Sequence, residues 1–159
     1  MSISSGSDTV VHYSERLWPP VTWWVVTVLL SAMTSLMVYP VWELGAFIVP
    51  VVVLVLAALW LRSLSAPIVV SDAGFRAGPA HIERRFIAEA TPFDERGSFA
   101  ARGVHLDARA FLMTRPWVKT VVRVALDDPA DPTPYWLVST KHPHELAAAL
   151  NRGLSLIHI

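Results

Sequence analysis

No charged side chain occurs between Arg16 and Glu43, and none between Glu43 and Arg62, so one acidic residue separates two long apolar stretches. Each stretch is long enough to cross a bilayer. A helix over residues 21–39 would be about 28 Å long and one over 44–61 about 27 Å, against a hydrocarbon core of roughly 30 Å. Pro19 and Pro20 suit a helix start, where a missing N–H costs nothing, and Tyr39-Pro40 favours ending the first span there. The break between the spans is brief, so they must be antiparallel neighbours.

Aromatic and charged residues at the ends agree with a membrane hairpin. Trp18 and Trp60 would lie at one interface, Tyr39 and Trp42 at the other, with Trp23 and Trp24 about one turn deeper. Arg16 and Arg62 flank the outer ends while the turn carries only Glu43, which places both termini in the cytoplasm by the positive-inside rule. Pro50 should kink the second helix or leave a carbonyl unpaired. Thr27, Ser31, Thr34 and Ser35 of the first are available to bond across to it. A cleaved signal peptide fits poorly, because no A-x-A-like exit is present and a second span follows at once. A buried hairpin of a soluble domain fits poorly too, since so short a chain has little left to cover two helices apolar on all sides.

The 159 residues leave room for one further domain. With 13 basic and 13 acidic residues in all, a general grip on nucleic-acid phosphates is disfavoured. The absence of cysteine excludes disulfides and thiol chemistry. From Pro67 onward short β-branched runs alternate with turn residues. Residues 67–70 and 75–77 read as a hairpin about the turn Ser71-Asp72-Ala73-Gly74, residues 82–90 as a longer strand closed by Thr91-Pro92, and 94–108 as short helix or irregular loop. Residues 110–113 form a short apolar run. Residues 118–126 are the clearest half-buried strand, with Val122, Val124 and Leu126 opposite Val121, Arg123 and Ala125. After a loop at 127–134, residues 135–139 return as a strand. Pro143 opens a helix through Arg152, with Glu145 placed to reach back to the N-cap, Leu146, Ala147 and Leu150 on the apolar side and Gly153 as a stop.

The expected fold is therefore a membrane α-helical hairpin plus an α+β domain: a small antiparallel β-barrel or bent sheet of six or seven strands, plugged by a C-terminal helix on a pleckstrin-homology-like (PH-like) plan. The domains are a cytoplasmic N-terminal segment at 1–17, the hairpin at 18–62, the β domain at 63–152 and an atypical tail at 153–159, excluded from functional argument as a truncation or artefact. The segments YSERLWPP at 13–20, RPWV at 115–118 and DPADPTPYWLVST at 128–140, with the Pro143 helix, resemble the actinobacterial family called domain of unknown function 3093 over residues 12–152. That resemblance implies a two-span membrane protein with a cytoplasmic β domain, and no activity.

Candidate chemistry is sparse. His12, His81, His105 and His158 are scattered and His142 and His144 do not share a helix face, so no metal and no cofactor is expected. Asp127, Asp128 and Asp131 lack the glycine and terminal glutamate of a calcium loop and read as a proline-stiffened turn. No catalytic motif is present, and a non-enzymatic protein is expected. Arg115, Trp117, Tyr135 and Trp136 have the composition of an interaction hot spot. In the alternative, Trp117 and Trp136 belong to the core or the membrane interface, and Arg115 pairs with Asp127 or Asp128. Arg76, Arg84 and Arg85 are candidates for lipid headgroups, or are ordinary strand-edge charges. The leading expectation is a membrane-anchored module that binds a membrane-protein partner or self-associates, its other partner being the bilayer. A headgroup sensor comes second, and an enzyme with an unfamiliar site third.

Overall fold

The computed structural model describes residues 10–157, with side chains to 154. Two compact units result, one of Trp18–Ala66 and one joining the segment that ends at Leu17 to the segment that begins at Pro67.

The first unit is the helical hairpin, α1 (Val21–Val38) and α2 (Gly45–Ser63). Its ends fall within two residues of those expected, because Pro20 opens α1 and apolar composition sustains both helices. Pro50 lies inside α2. Its missing N–H frees the carbonyl four residues back, that of Ala46, and Ser35 of α1 donates its hydroxyl there at 2.8 Å. Ser31 donates to the Pro50 carbonyl at 2.5 Å. The unpaired-carbonyl problem is thus solved across the helix pair, as the hydroxyl-rich first span suggested. Thr27 and Thr34 instead bond within α1, to the Trp23 and Ser31 carbonyls.

The second unit contains two four-stranded sheets. Sheet A is β1 (Val11–Leu17), β2 (Ala66–Ser71), β3 (Gly74–Ala77) and β4 (Ala80–Ile82), neighbours in that order. Sheet B contains β5 (Ile87–Phe93), β6 (Phe111–Met113), β7 (Val121–Leu126) and β8 (Tyr135–Ser139) in the order β5-β7-β8-β6. Helices α3 (Glu95–Arg102) and α4 (Pro143–Ile157) complete it.

Several expectations are corrected. The sheet does not close into a barrel, nor is it wholly antiparallel: β6 pairs parallel to β8, with Phe111 opposite Trp136. Eight strands appear among the described residues, because residues 11–17, read as part of an N-terminal segment separate from the β domain, supply the edge of sheet A. In chain order the hairpin interrupts that sheet between two neighbouring strands. The strand expected over 82–90 is broken by a 3₁₀ turn at Arg84–Phe86 and resumes through Pro92 to Phe93. Proline is tolerated there because β5 is a sheet edge. Residues 118–120 precede the strand that begins at Val121. The cap expected from Glu145 comes instead from Thr140, whose hydroxyl accepts from the His142 N–H at 3.1 Å.

Sheet B is covered on both faces. Antiparallel register puts Val122, Val124, Trp136 and Val138 on one face, where Trp136 meets Phe75 of sheet A at 6.0 Å between ring centroids. Val121 and Leu137 face the other way with Phe93 and Tyr135, beneath α3 and its Ala101. The chain places α3 there through Asp94, which caps it by accepting from the Gly97 N–H at 2.7 Å, and through buried Ser98, whose hydroxyl accepts from the Val121 N–H at 2.9 Å.

Helix α4 buries Leu146, Ala147 and Leu150, the stripe read from the sequence, and also Ala149. Asn151 uses its side-chain amide as a surrogate strand. Its Oδ1 accepts from the Ala90 N–H at 3.1 Å and its Nδ2 donates to the Ala90 carbonyl at 3.0 Å, satisfying the open edge of β5. Gly153 is not a helix stop. It lies buried within α4, where a Cβ would overlap the Arg84 guanidinium, so the first residue of the supposed tail is a packing position of the domain. Residues 1–9 and His158 lie outside the described residues.

Candidate functional site

The four residues proposed as a hot spot are not brought together. On β8, successive side chains face opposite ways. Trp136 is therefore core, in tilted ring contact with Phe75 and Phe111, the latter at 5.1 Å between centroids. Tyr135 faces the α3 side, where its hydroxyl accepts from the Asp107 N–H at 2.8 Å and Arg123 lies 5.7 Å from its ring centre. Arg115 and Trp117, both half-buried, follow β6 at the far end of β8, and the Arg115 N–H donates to Ser139 Oγ at 2.9 Å. Asp127 and Asp128, the partners expected for Arg115, precede Tyr135 at the other end of that strand from Ser139. Of the two readings offered for Trp136, the core reading is the one the structure adopts.

The three arginines separate as well. Arg76 on β3 is exposed and donates to the Gly78 carbonyl at 3.2 Å. Arg85 is exposed, pairs with Glu83 at 2.8 Å and lies 4.6 Å from the centre of the Phe86 ring. Arg84 turns inward onto α4 and donates to the Ala149 carbonyl at 3.2 Å. Gly153 leaves the space its guanidinium occupies. Among the described residues no group of three or more His, Asp or Glu is placed to hold a metal ion. Asp128 and Asp131 accept from the Ala130 and Thr133 N–H groups at 2.9 Å each, which rigidifies the proline loop, and the Thr133 backbone bond keeps the Asp131 carboxyl below the usual carboxylate range.

Two arrangements escaped the sequence reading. One is a polar junction between β1 and the start of α4. Glu15 accepts from the Tyr13 hydroxyl at 2.7 Å, from the buried Thr140 hydroxyl at 2.5 Å and from the Lys141 N–H at 2.9 Å. Thr140 in turn exchanges two bonds with Thr120, so β1 is locked to both β8 and the loop before β7. Burial, and secondarily the Glu15 carboxylate, push the Tyr13 phenol well above its ordinary value. A raised value means the fold prefers the neutral phenol, so its contribution is complete below about pH 10 and declines as pH rises further. Unfolding midpoints between about pH 8 and 11 should fall steeply in the wild type at the alkaline end and less so in Tyr13→Phe. That variant should lose about 1 kcal/mol near neutrality for the missing bond. Parallel profiles for the two proteins would remove Tyr13 from this role.

The second arrangement is a cavity of about 570 Å³ on the outer side of α3, lined by Glu95, Arg96, Phe99, Arg102 and Lys119. It is the largest of the described cavities. Of residues 94–108, which read as short helix or irregular loop, Glu95–Arg102 form the helix, only eight residues long and so too short for its pattern to separate the two readings.

Taken together, the chain is an α+β domain of two four-stranded sheets into which an apolar helical hairpin is inserted. It belongs to a family described as proteins of unknown function (DUF3093), whose family model matches residues 12–150. Neither the comparison with curated proteins nor that with solved structures returned a match.

Proposed function

We propose that the chain is an integral membrane protein whose hairpin spans the bilayer, and whose PH-like domain acts on the cytoplasmic side as a non-enzymatic interaction or assembly module. The observation that carries this is the outward face of the hairpin. Val25, Leu29, Leu36, Met37, Phe47, Val51, Val55 and Leu59 are all exposed, on helices long and apolar enough to cross a membrane. Core helices of a soluble protein would bury such side chains; lipid is the solvent that accepts them. Exposure of Trp18, Trp60, Tyr39 and Trp42 at the hairpin ends supports interfacial anchoring. The PH-like reading rests on the order of parts, a four-stranded meander, then a second sheet, then a C-terminal helix packed against both β5 and β7.

A domain entered and left through adjacent strands, with a membrane hairpin between them, is tethered twice. That geometry favours a role in holding a partner or a second copy at the membrane. The headgroup alternative on Arg76, Arg84 and Arg85 draws less support, because Arg84 is engaged with α4 and Arg85 with Glu83.

Alkaline carbonate extraction of membranes, followed by crosslinking in the native bilayer, tests the proposal. Retention in the pellet and a reproducible crosslinked species larger than the monomer are expected. Release into the supernatant would refute the membrane reading, and monomer alone after crosslinking would refute the assembly reading.

A further inference from the structure

Helix α3 uses Ser98 and Ala101 to pack on sheet B, and turns Phe99 to solvent at 81% exposure. An aromatic ring so exposed, in a domain whose other rings are largely packed, forgoes the stabilisation that burial gives apolar surface. Around it the charge is unbalanced. Arg96, Arg102 and Lys119 line the same cavity against one carboxylate, Glu95, which pairs with Lys119 at 3.3 Å.

Arg102 is the unusual member. Its Nη2 donates to the Val118 carbonyl at 2.7 Å, its Nε is buried with no partner among the described residues, and it makes no ion pair among them. A partly desolvated guanidinium without a counter-ion is costly to hold, and an anion placed beside it recovers that cost. Desolvation draws the Arg102 guanidinium below its ordinary range, consistent with this, although it stays protonated at any physiological pH.

We propose that this cavity binds a small amphiphilic oxyanion, a carboxylate or phosphate carried on an apolar body. Its charged end lies among Arg96, Arg102 and Lys119 and its apolar body against Phe99. The cavity volume falls in the range of roughly 300–1,000 Å³ usual for such ligands. Glu95 is the internal competitor, since it occupies Lys119 while the site is empty. The inference stands whether or not the domain also serves as an assembly module.

Phenylphosphate is a suitable probe, titrated calorimetrically into the full chain in nanodiscs of neutral phosphatidylcholine. Saturable binding is expected, with inorganic phosphate weaker by about fivefold or more for want of the apolar contact. Phe99→Ser should bring phenylphosphate down to the inorganic phosphate level. Arg96→Gln and Lys119→Gln should each weaken binding about threefold, and Glu95→Gln should tighten it by a similar factor as Lys119 is released. Arg102→Gln should abolish binding; the exposed Arg96, Phe99 and Lys119 variants keep the test decisive should Arg102→Gln fail to fold. Nanodiscs containing phosphatidic acid separate the sources. Weaker phenylphosphate binding there identifies the ligand as a lipid phosphate, unchanged binding as a soluble oxyanion. Absence of saturable binding by the folded wild type, or affinities unmoved by Phe99→Ser and Arg96→Gln, would overturn the proposal.

Discussion

Trp136→Ala is expected to destabilise the β domain by about 3–5 kcal/mol, as truncation of a large buried aromatic does when its surroundings relax only partly. The indole is 7% exposed and touches Phe75 of sheet A and Phe111 of β6, so its loss opens a cavity where three strands from two sheets converge. Against a total stability of about 5–15 kcal/mol, that is enough to leave a large unfolded fraction at moderate temperature. Denaturant unfolding of the full chain in detergent, followed by near-ultraviolet circular dichroism, measures it, with Trp136→Phe retaining most of the stability. The experiment also decides between the two readings that sequence left open. A partner-binding tryptophan on the surface would change stability by about 0.5 kcal/mol or less, and an unmoved midpoint would therefore return Trp136 to the surface.

That ambiguity was resolvable in principle from the pattern itself. Tyr135 and Trp136 are adjacent on a strand, and adjacency on a strand means opposite faces, so the pair could never have formed one patch. Composition suggested a hot spot because Arg, Trp and Tyr are common to hot spots and to cores alike. For Arg115 the missing information was register. Parallel pairing of β6 with β8 sets Met113 beside Val138, which carries Arg115 to the Ser139 end and away from Asp127 and Asp128. No local signal reports that a three-residue strand will pair in parallel across a gap of over twenty residues.

The hairpin was legible because its determinants are local: uninterrupted apolar runs, prolines at the first boundary, and hydroxyls on α1 opposite Pro50. Strand β1 was not, although Val11-His12-Tyr13-Ser14-Glu15-Arg16-Leu17 alternates plausibly, because its neighbour β2 lies about fifty residues away beyond the hairpin. The same non-locality hid the Tyr13-Glu15-Thr140 junction. Helix α3 was hidden for the opposite reason. Its stability comes from the Asp94 cap and from Ser98 docked on β7, contacts that contribute little to hydrophobic periodicity. The cavity beside it followed from that omission. Gly153 misled by type, since glycine near a helix end usually marks a stop. Here it admits the Arg84 side chain against the helix.

Gly74→Ala is the second large effect, expected to cost about 2–4 kcal/mol. Gly74 closes the turn between β2 and β3, opposite Ser71, with φ at +150°, a conformation that L residues adopt only at a cost of about 1–3 kcal/mol. Steric overlap adds to that strain. A Cβ at this position would run into the Ile82 carbonyl oxygen and lie 3.1 Å from the Ile82 carbonyl carbon and 3.2 Å from the Glu83 Cα. These are backbone atoms at the end of β4, which cannot swing aside as a side chain can, so the β3–β4 pairing must shift. The disturbance should reach β1, because Asp72 in the same turn donates its N–H to the Val10 carbonyl and bonds His12 through its side chain at 2.5 Å. Thermal unfolding should therefore show a lower midpoint, and amide exchange in Gly74→Ala should accelerate across residues 11–17 before it does in β7 and β8. Substituting the neighbouring exposed Ala73 by Ser, in the same turn but without the close approach, provides the control and should change little. If Gly74→Ala unfolded with the wild-type midpoint, the close packing of the first turn of sheet A against the end of β4 would be wrong, and with it the placement of β1 at that sheet's edge.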